Sequence, residues 1–286
     1  MATAATEFIP EVYAAGVEHA LNEEWVIVDI CNRKYEGEIK KQGDSVRIKT
    51  VGRITAHSLT RATKRTELSA AEEIEGDTII FPINQIRYTH VFVDSIDELA
   101  TDVNLMNESA KETAVALAAQ HDKYAAEIAY KGATNKLAVI ASLNPNNIVD
   151  TILEAKTKLY EKNVSRNAAL ELVVTPEIEA VLVKAAILTK SNNVEDFKNG
   201  KIGMTLGVNV RVSNNVYLDS GNKGCFMTTK DAVAFAEQVS KTITYREDGK
   251  YLDRDIIKTY TLFDAKVIWA DRIIGIPVTA TSLQTA

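Results

Sequence analysis

Four histidines, His19, His57, His90 and His121, are the side chains best suited to bind a metal or shuttle protons near neutral pH. They are scattered, and no H-E-x-x-H run occurs, so their spacing gives no zinc site. His90 lies in an alternating run, where a packed or interface role is expected. His121 is followed directly by Asp122, but adjacent helical positions point apart, so the two form no acid–base dyad by local geometry. Glu108 and Glu112 stand four apart and share a helix face; without an accompanying Glu-x-x-His they read as a solvated or intersubunit face. No Walker loop, G-x-G-x-x-G or G-x-S-x-G is present. Gly200, Gly203 and Gly207 are spaced like turns around a strand, and Cys31 and Cys225 are expected as reduced thiols. No catalytic, cofactor-binding or metal residue is therefore assigned.

The remaining cluster is electrostatic. From Arg47 to Arg65 there are six basic residues and no acids, and from Glu67 to Asp77 five acids and no bases. Arg61, Lys64 and Arg65 have the chemistry to bind phosphate, or to pair with Glu72, Glu73 and Glu75 on the same or a neighbouring copy. Exposed ion pairs contribute only about 0–1 kcal/mol each, but sorted charge fixes register and partner choice. These six residues are taken as a subunit-interface candidate.

Their positions explain why. A β-type run from Gly43 to Ile54 and a return starting at Gly76 flank about twenty residues with few large apolar side chains; connections inside compact domains are usually about 4–6 residues. A hairpin alone is marginal in water, so this arm is expected to lie on something else, most simply a second copy.

Bulk properties set limits. The chain has 286 residues, 46% hydrophobic and 25% charged, ordinary for a globular protein. A net charge of −6 argues against nucleic-acid binding by bulk attraction, and residues 1–45 hold nine acids against four bases. No signal peptide and no run of roughly 20 apolar residues is seen.

Along the chain, residues 1–42 read as an arm with one short helix, residues 43–85 as the hairpin, and Ile86 to Val93 as a strand with Ile86, Tyr88, His90 and Phe92 on one face. A helix is expected from about Asn104 to Lys131, stopped by Gly132, about 42 Å long at 1.5 Å per residue. Asn144-Pro145 and Thr175-Pro176 open two further helices, and Leu170–Val174 and Val208–Val212 are strands. Lys230 to Gln238 is read as a short helix. The tail from Asp255 to Val278 is β-rich and expected to pair with the strand leading into the long helix.

Several stretches resemble the major capsid proteins of tailed bacteriophages, with the Hong Kong 97-type fold. They are Phe8-Ile9-Pro10-Glu11-Val12-Tyr13 with Gly16-Val17, Tyr35-Glu36-Gly37-Glu38-Ile39 before Gly43-Asp44-Ser45-Val46-Arg47-Ile48, Asp102-Val103-Asn104-Leu105-Met106, Phe226-Met227 through Gln238, and Asp264-Ala265-Lys266-Val267 with Asp271. Their collinearity carries the resemblance. It implies an α+β fold with an N-terminal arm (1–42), an extended β-hairpin loop (43–85) lying over an adjacent subunit, a peripheral domain with a spine helix (86–132 and 251–286) and an axial α/β domain (133–250). It implies a coat protein that self-assembles as hexamers and pentamers into an icosahedral head around double-stranded DNA, in the virion, after assembly in the host cytoplasm. Implied partners are a separate scaffolding protein, a portal, a decoration protein and packaged DNA without sequence-specific contacts, with no membrane. Some relatives cross-link a loop Lys to a peripheral Asn; Lys64 is available, but no Asn follows Tyr251, so the grip is expected to be non-covalent. The alternatives are an encapsulin-like shell around cargo protein, and a soluble enzyme whose site is scattered in sequence.

Overall fold

The computed structural model describes residues 17, 25–35, 45–51, 56–58, 76–94, 105–142, 144–184, 189–190, 201–246 and 254–279. The hairpin strands are β1 (Ser45–Val51) and β2 (Gly76–Pro82), antiparallel in the register Ser45↔Pro82 to Val51↔Gly76. After Ile83 and Asn84 the chain enters β3 (Gln85–Asp94), in a different sheet. Helix α1 then runs Leu105–Gly132, within a residue of the expected span. It is followed by β4 (Asn135–Lys136), α2 (Pro145–Glu161), β5 (Leu170–Val174), α3 (Pro176–Lys184), β6 (Thr189–Lys190), β7 (Lys201–Thr205) and β8 (Val208–Val212). The last strands are β9 (Tyr217–Asp219), β10 (Asn222–Thr229), β11 (Val233–Arg246), β12 (Arg254–Val267) and β13 (Ile273–Thr279).

Two larger sheets organise the chain. One is three-stranded and antiparallel, ordered β11-β12-β3. The other is eight-stranded and mixed, ordered β4-β13-β10-β5-β8-β7-β6, with β9 paired to β10. Strand pairing crosses the boundary expected at residue 250. β11 belongs to the three-stranded sheet, and β13 returns to the eight-stranded one. As expected, the tail strand β12 pairs with β3, the strand leading into the long helix.

The stretch Lys230–Gln238 is not a helix. Ala232, Val233, Ala234, Phe235 and Ala236 are all buried, and from Val233 they form β11 against β12. Alanine favours helix locally, but tertiary pairing decides here. Phe235 faces the core under α1, while Ala234 and Ala236 face the hairpin base.

Local signals elsewhere hold. Asn144 caps α2, its Oδ1 accepting from Asn147 N at 2.8 Å, and Pro145 occupies the first turn. Thr175 does not cap through its side chain; its hydroxyl has no partner, and its backbone carbonyl accepts from Ile178 N and Glu179 N. Three cores result. Trp25, Leu117, Ala125, Phe235 and Phe263 pack between α1 and the three-stranded sheet. Ile148, Ile152, Leu159, Leu172 and Ile178 join α2 and α3 to the eight-stranded sheet. Ile48, Phe81, Ile83 and Leu262 fasten the hairpin base.

Candidate assembly interface

The hairpin base is anchored by its alternation. Ile79 and Phe81 point inward and Ile80 outward, with Phe81 fully buried and Ile80 55% exposed. Burying Phe81 and Ile48 contributes roughly 1.5–3 kcal/mol each, enough to fix where the arm leaves the body. Arg61, Lys64, Arg65, Glu72, Glu73 and Glu75 lie outside the described residues, so their geometry is not part of the site as built here.

The base leads onto an unusual surface. The inner face of the three-stranded sheet packs on α1 through Ile257, Thr259, Thr261 and Phe263, all buried. The outer face carries Ile86, Tyr88, His90 and Phe92 from β3, in register with Leu262, Tyr260, Lys258 and Ile256 of β12. Lys241 and Ile243 of β11 continue it. A register shift between Glu237 and Val239 keeps Ala234, Ala236 and Ile243 on that same face despite the extra residue.

Leu262 and Ile256 are covered, but Ile86 is 52%, Tyr88 66% and Phe92 60% exposed. Scattered exposed hydrophobics are normal; a contiguous stripe of this kind marks a contact surface. Two acids fall on this face by register, the buried Asp264 opposite Ala236 and Asp94 at the end of β3, whereas Lys241 and Lys258 are exposed, Lys258 lying 5.9 Å from the Tyr88 ring centroid. The exposed part described between Ile86 and Phe92 is thus apolar with lysines beside it. The sequence placed Ile86, Tyr88, His90 and Phe92 together; which side of the sheet α1 covers was not readable from it.

Beside the hairpin base, a groove of about 480 Å³ opens between α1, β2 and the end of β12, floored by Phe81, Ile128 and Val267 and rimmed by Lys131 and Lys266. Asp264 organises its wall. It accepts from Tyr124 Oη at 2.8 Å and from Asn84 N at 3.2 Å, and burial together with that carboxylate raises the Tyr124 phenol well above its usual range.

The body behind these surfaces is tied together by segment 25–32, whose partners the sequence did not reveal. Asp122 on α1 accepts from Val26 N, Ile27 N and Val28 N at 3.1, 3.0 and 3.0 Å. Asp29 pairs with Arg211 of β8 at 2.8 Å, and Arg211 also meets Glu171 of β5 at 3.2 Å. Asn32 donates its N–H to Val233 O and accepts from Phe235 N. One short segment therefore joins the long helix and both larger sheets. A polar pair in the middle of an otherwise apolar helix stripe, His121-Asp122, was the available signal.

Burial pushes the Asp122 carboxyl up to about 6, against the pull of the three backbone N–H groups and Arg211. Burial and then Arg87 push His121 down to about 3. Cys31 and Cys225 are both free and buried, and desolvation raises both thiols, Cys225 to about 12. Among the described residues no three His, Cys, Asp or Glu side chains cluster for a metal, and no helix is long and apolar enough to cross a membrane.

No family model and no curated protein matches the sequence. Solved structures do match the fold. A structure from Mycobacterium phage Che8 superposes with a TM-score of 0.69 at 23% identity, over 88% of this chain and 90% of that one. The capsid structure of cyanophage P-SCSP1u gives 0.65 at 12% identity, over 85% and 86%. A virus-like particle from Pyrococcus furiosus gives 0.60 at 13%, over 93% and 98%. The chain has the fold seen in phage capsids, the Hong Kong 97-type architecture that its sequence resembles.

Proposed function

We propose that this chain is the major capsid protein of a tailed phage, assembling as hexamers and pentamers into an icosahedral head around double-stranded DNA. The observation that carries this reading is the match to phage structures over most of both chains, with TM-scores to 0.69. Its physical support is the stripe of exposed apolar side chains on the outer sheet face, beside the base of an arm too long and polar to pack on its own core. A heterologous contact between such a face and a different surface of the next copy propagates into rings. Many modest contacts, each weak alone, add up over a closed lattice.

The arm of one copy lies over its neighbour and holds it through the sorted charges, non-covalently. Residues 86–132 form the peripheral part with β11 and β12, and the eight-stranded sheet forms the axial part. A scaffolding protein, a portal and a decoration protein complete the head, and the DNA is enclosed without sequence-specific contacts. The virus-like particle from Pyrococcus furiosus has the same fold, so a shell around cargo protein is the second reading. The contents of purified particles, double-stranded DNA or protein, separate the two.

Sedimentation tests the arm. Lys64→Glu with Arg65→Glu is expected to leave a folded monomer by circular dichroism that no longer forms the fast-sedimenting species of the parent chain. Unchanged assembly in that double variant would show the charge sorting to be incidental.

A further inference from the structure

We propose that the turn between β7 and β8 of one copy seats Leu206 in the groove between residues 137–142 and α2 of the next copy, with Lys156 and Arg166 turned towards Asp150 and Glu154. The proposal rests on the chain associating with itself, and it names two surfaces that the outer sheet face does not include.

The turn is built against its own local preference. Thr205 pairs with Val208, which leaves Leu206 and Gly207 as a two-residue loop, at φ +51° and +76°. Both positions of such a loop need positive φ, which glycine and asparagine adopt readily and leucine resists. Leu206 is nevertheless held there and is 36% exposed. Lys156 fixes it, Nζ donating to Leu206 O at 2.6 Å. A costly backbone conformation that its surroundings hold in place is the mark of a functional contact, and here it displays an apolar side chain.

The same corner is basic. Lys156 Nζ and Arg166 Cζ lie 5.9 and 6.0 Å from the Tyr160 ring centroid, so one ring holds both cations close to the turn. From Lys156 to Arg166 there are four bases and one acid, Glu161. Glu161 stands about 140° round the helix from Lys156.

The groove has the opposite character. It measures about 350 Å³, and its lining includes Val139, Ile140, Ser142, Asp150, Thr151 and Glu154, with no Lys or Arg. Val139 is 50% exposed. Lys158 shares Glu154 at 2.8 Å, so Asp150 is the main counter-charge. An exposed leucine beside cations thus matches an apolar cleft edged by carboxylates.

The two surfaces do not meet within one chain. Asn209 is level with Glu171, Thr228 and Ile273 at one end of the eight-stranded sheet, and Ile140 is level with Val278 towards the other. Four strand spacings also separate β4 from β8, roughly 19 Å at about 4.8 Å each. Turn and groove therefore occupy diagonal corners. A contact between two different corners is head-to-tail, and it closes into rings where the rotation allows.

Sedimentation of the full-length chain tests the contact. Asparagine suits the turn, so Leu206→Asn is expected to keep or raise the subunit's melting temperature while its fast-sedimenting species is lost. A purely local role for Leu206 predicts unchanged assembly. Asp150→Arg and Arg166→Asp are each expected to lose the species alone and to regain it when mixed, because each turn then faces a groove of opposite charge. Normal assembly of Leu206→Asn, or a mixture that stays unassembled, would overturn this contact while a parent chain that assembles leaves the capsid reading standing. A parent chain without any fast-sedimenting species would overturn both.

Discussion

Tyr130, near the end of the long helix, is 1% exposed, and its ring lies in a slot that two glycines keep open. A Cβ at Gly224 would meet the ring at 2.9 Å, and one at Gly275 would sit 3.0 Å from Lys136 Cγ and 3.2 Å from the ring. The Gly224 clash is with a locked aromatic, the Gly275 clash mainly with a flexible stem. Gly224→Ala is therefore expected to lower stability by about 1–3 kcal/mol in urea titration, and Gly275→Ala by less. Equal effects would show that the ring is not locked. The buried charges make a second case. Glu171 and Arg211 are each 8% exposed; Arg211 also pairs with Asp29, whereas Glu171 without Arg211 keeps only the Asn209 amide. Arg211→Met should cost about 3 kcal/mol, while Arg211→Met with Glu171→Leu recovers most of it. An additive double variant would contradict the pairing. Little of this was legible in sequence. Glu171 sits in an apolar strand, Arg211 lies forty positions later, and the partners of Asp122 are backbone amides, which no side-chain pattern encodes.

At the scale of elements, local rules worked where a segment decides its own conformation. The bounds of α1, the Asn144 cap and the β1–β2 pairing all follow from spacing, capping chemistry and alternation. They misled at residues 230–238, where helix-forming alanines are drawn into β11 by a partner strand, and at Thr175, whose hydroxyl is buried without bonding the helix it precedes. The outer face of the three-stranded sheet is the element on which the proposed assembly is tested. Tyr88→Ser with Phe92→Ser removes two large side chains that are 66% and 60% exposed. Thermal unfolding of the isolated subunit is expected to be nearly unchanged, within about 0.5 kcal/mol for each exposed substitution. Light scattering should show assembly lost. Normal assembly would mean this face looks onto solvent in the final particle.

At the scale of the whole molecule, the order of elements was readable from end to end, because arm, hairpin, long helix, compact α/β region and returning strands follow one another in the chain. Their interleaving was not: β11 leaves the eight-stranded region for the sheet on α1, and β13 goes back, so each sheet is closed by residues distant in sequence. Segment 25–32 then fastens helix and sheets into one body, with the stripe Ile86, Tyr88 and Phe92 exposed on the outer sheet face. An exposed apolar stripe of this kind suits association. Electron microscopy of the purified chain tests that most directly: closed shells, or the hexamers and pentamers that build them, are the predicted result, and a population of compact monomers or dimers alone would contradict it.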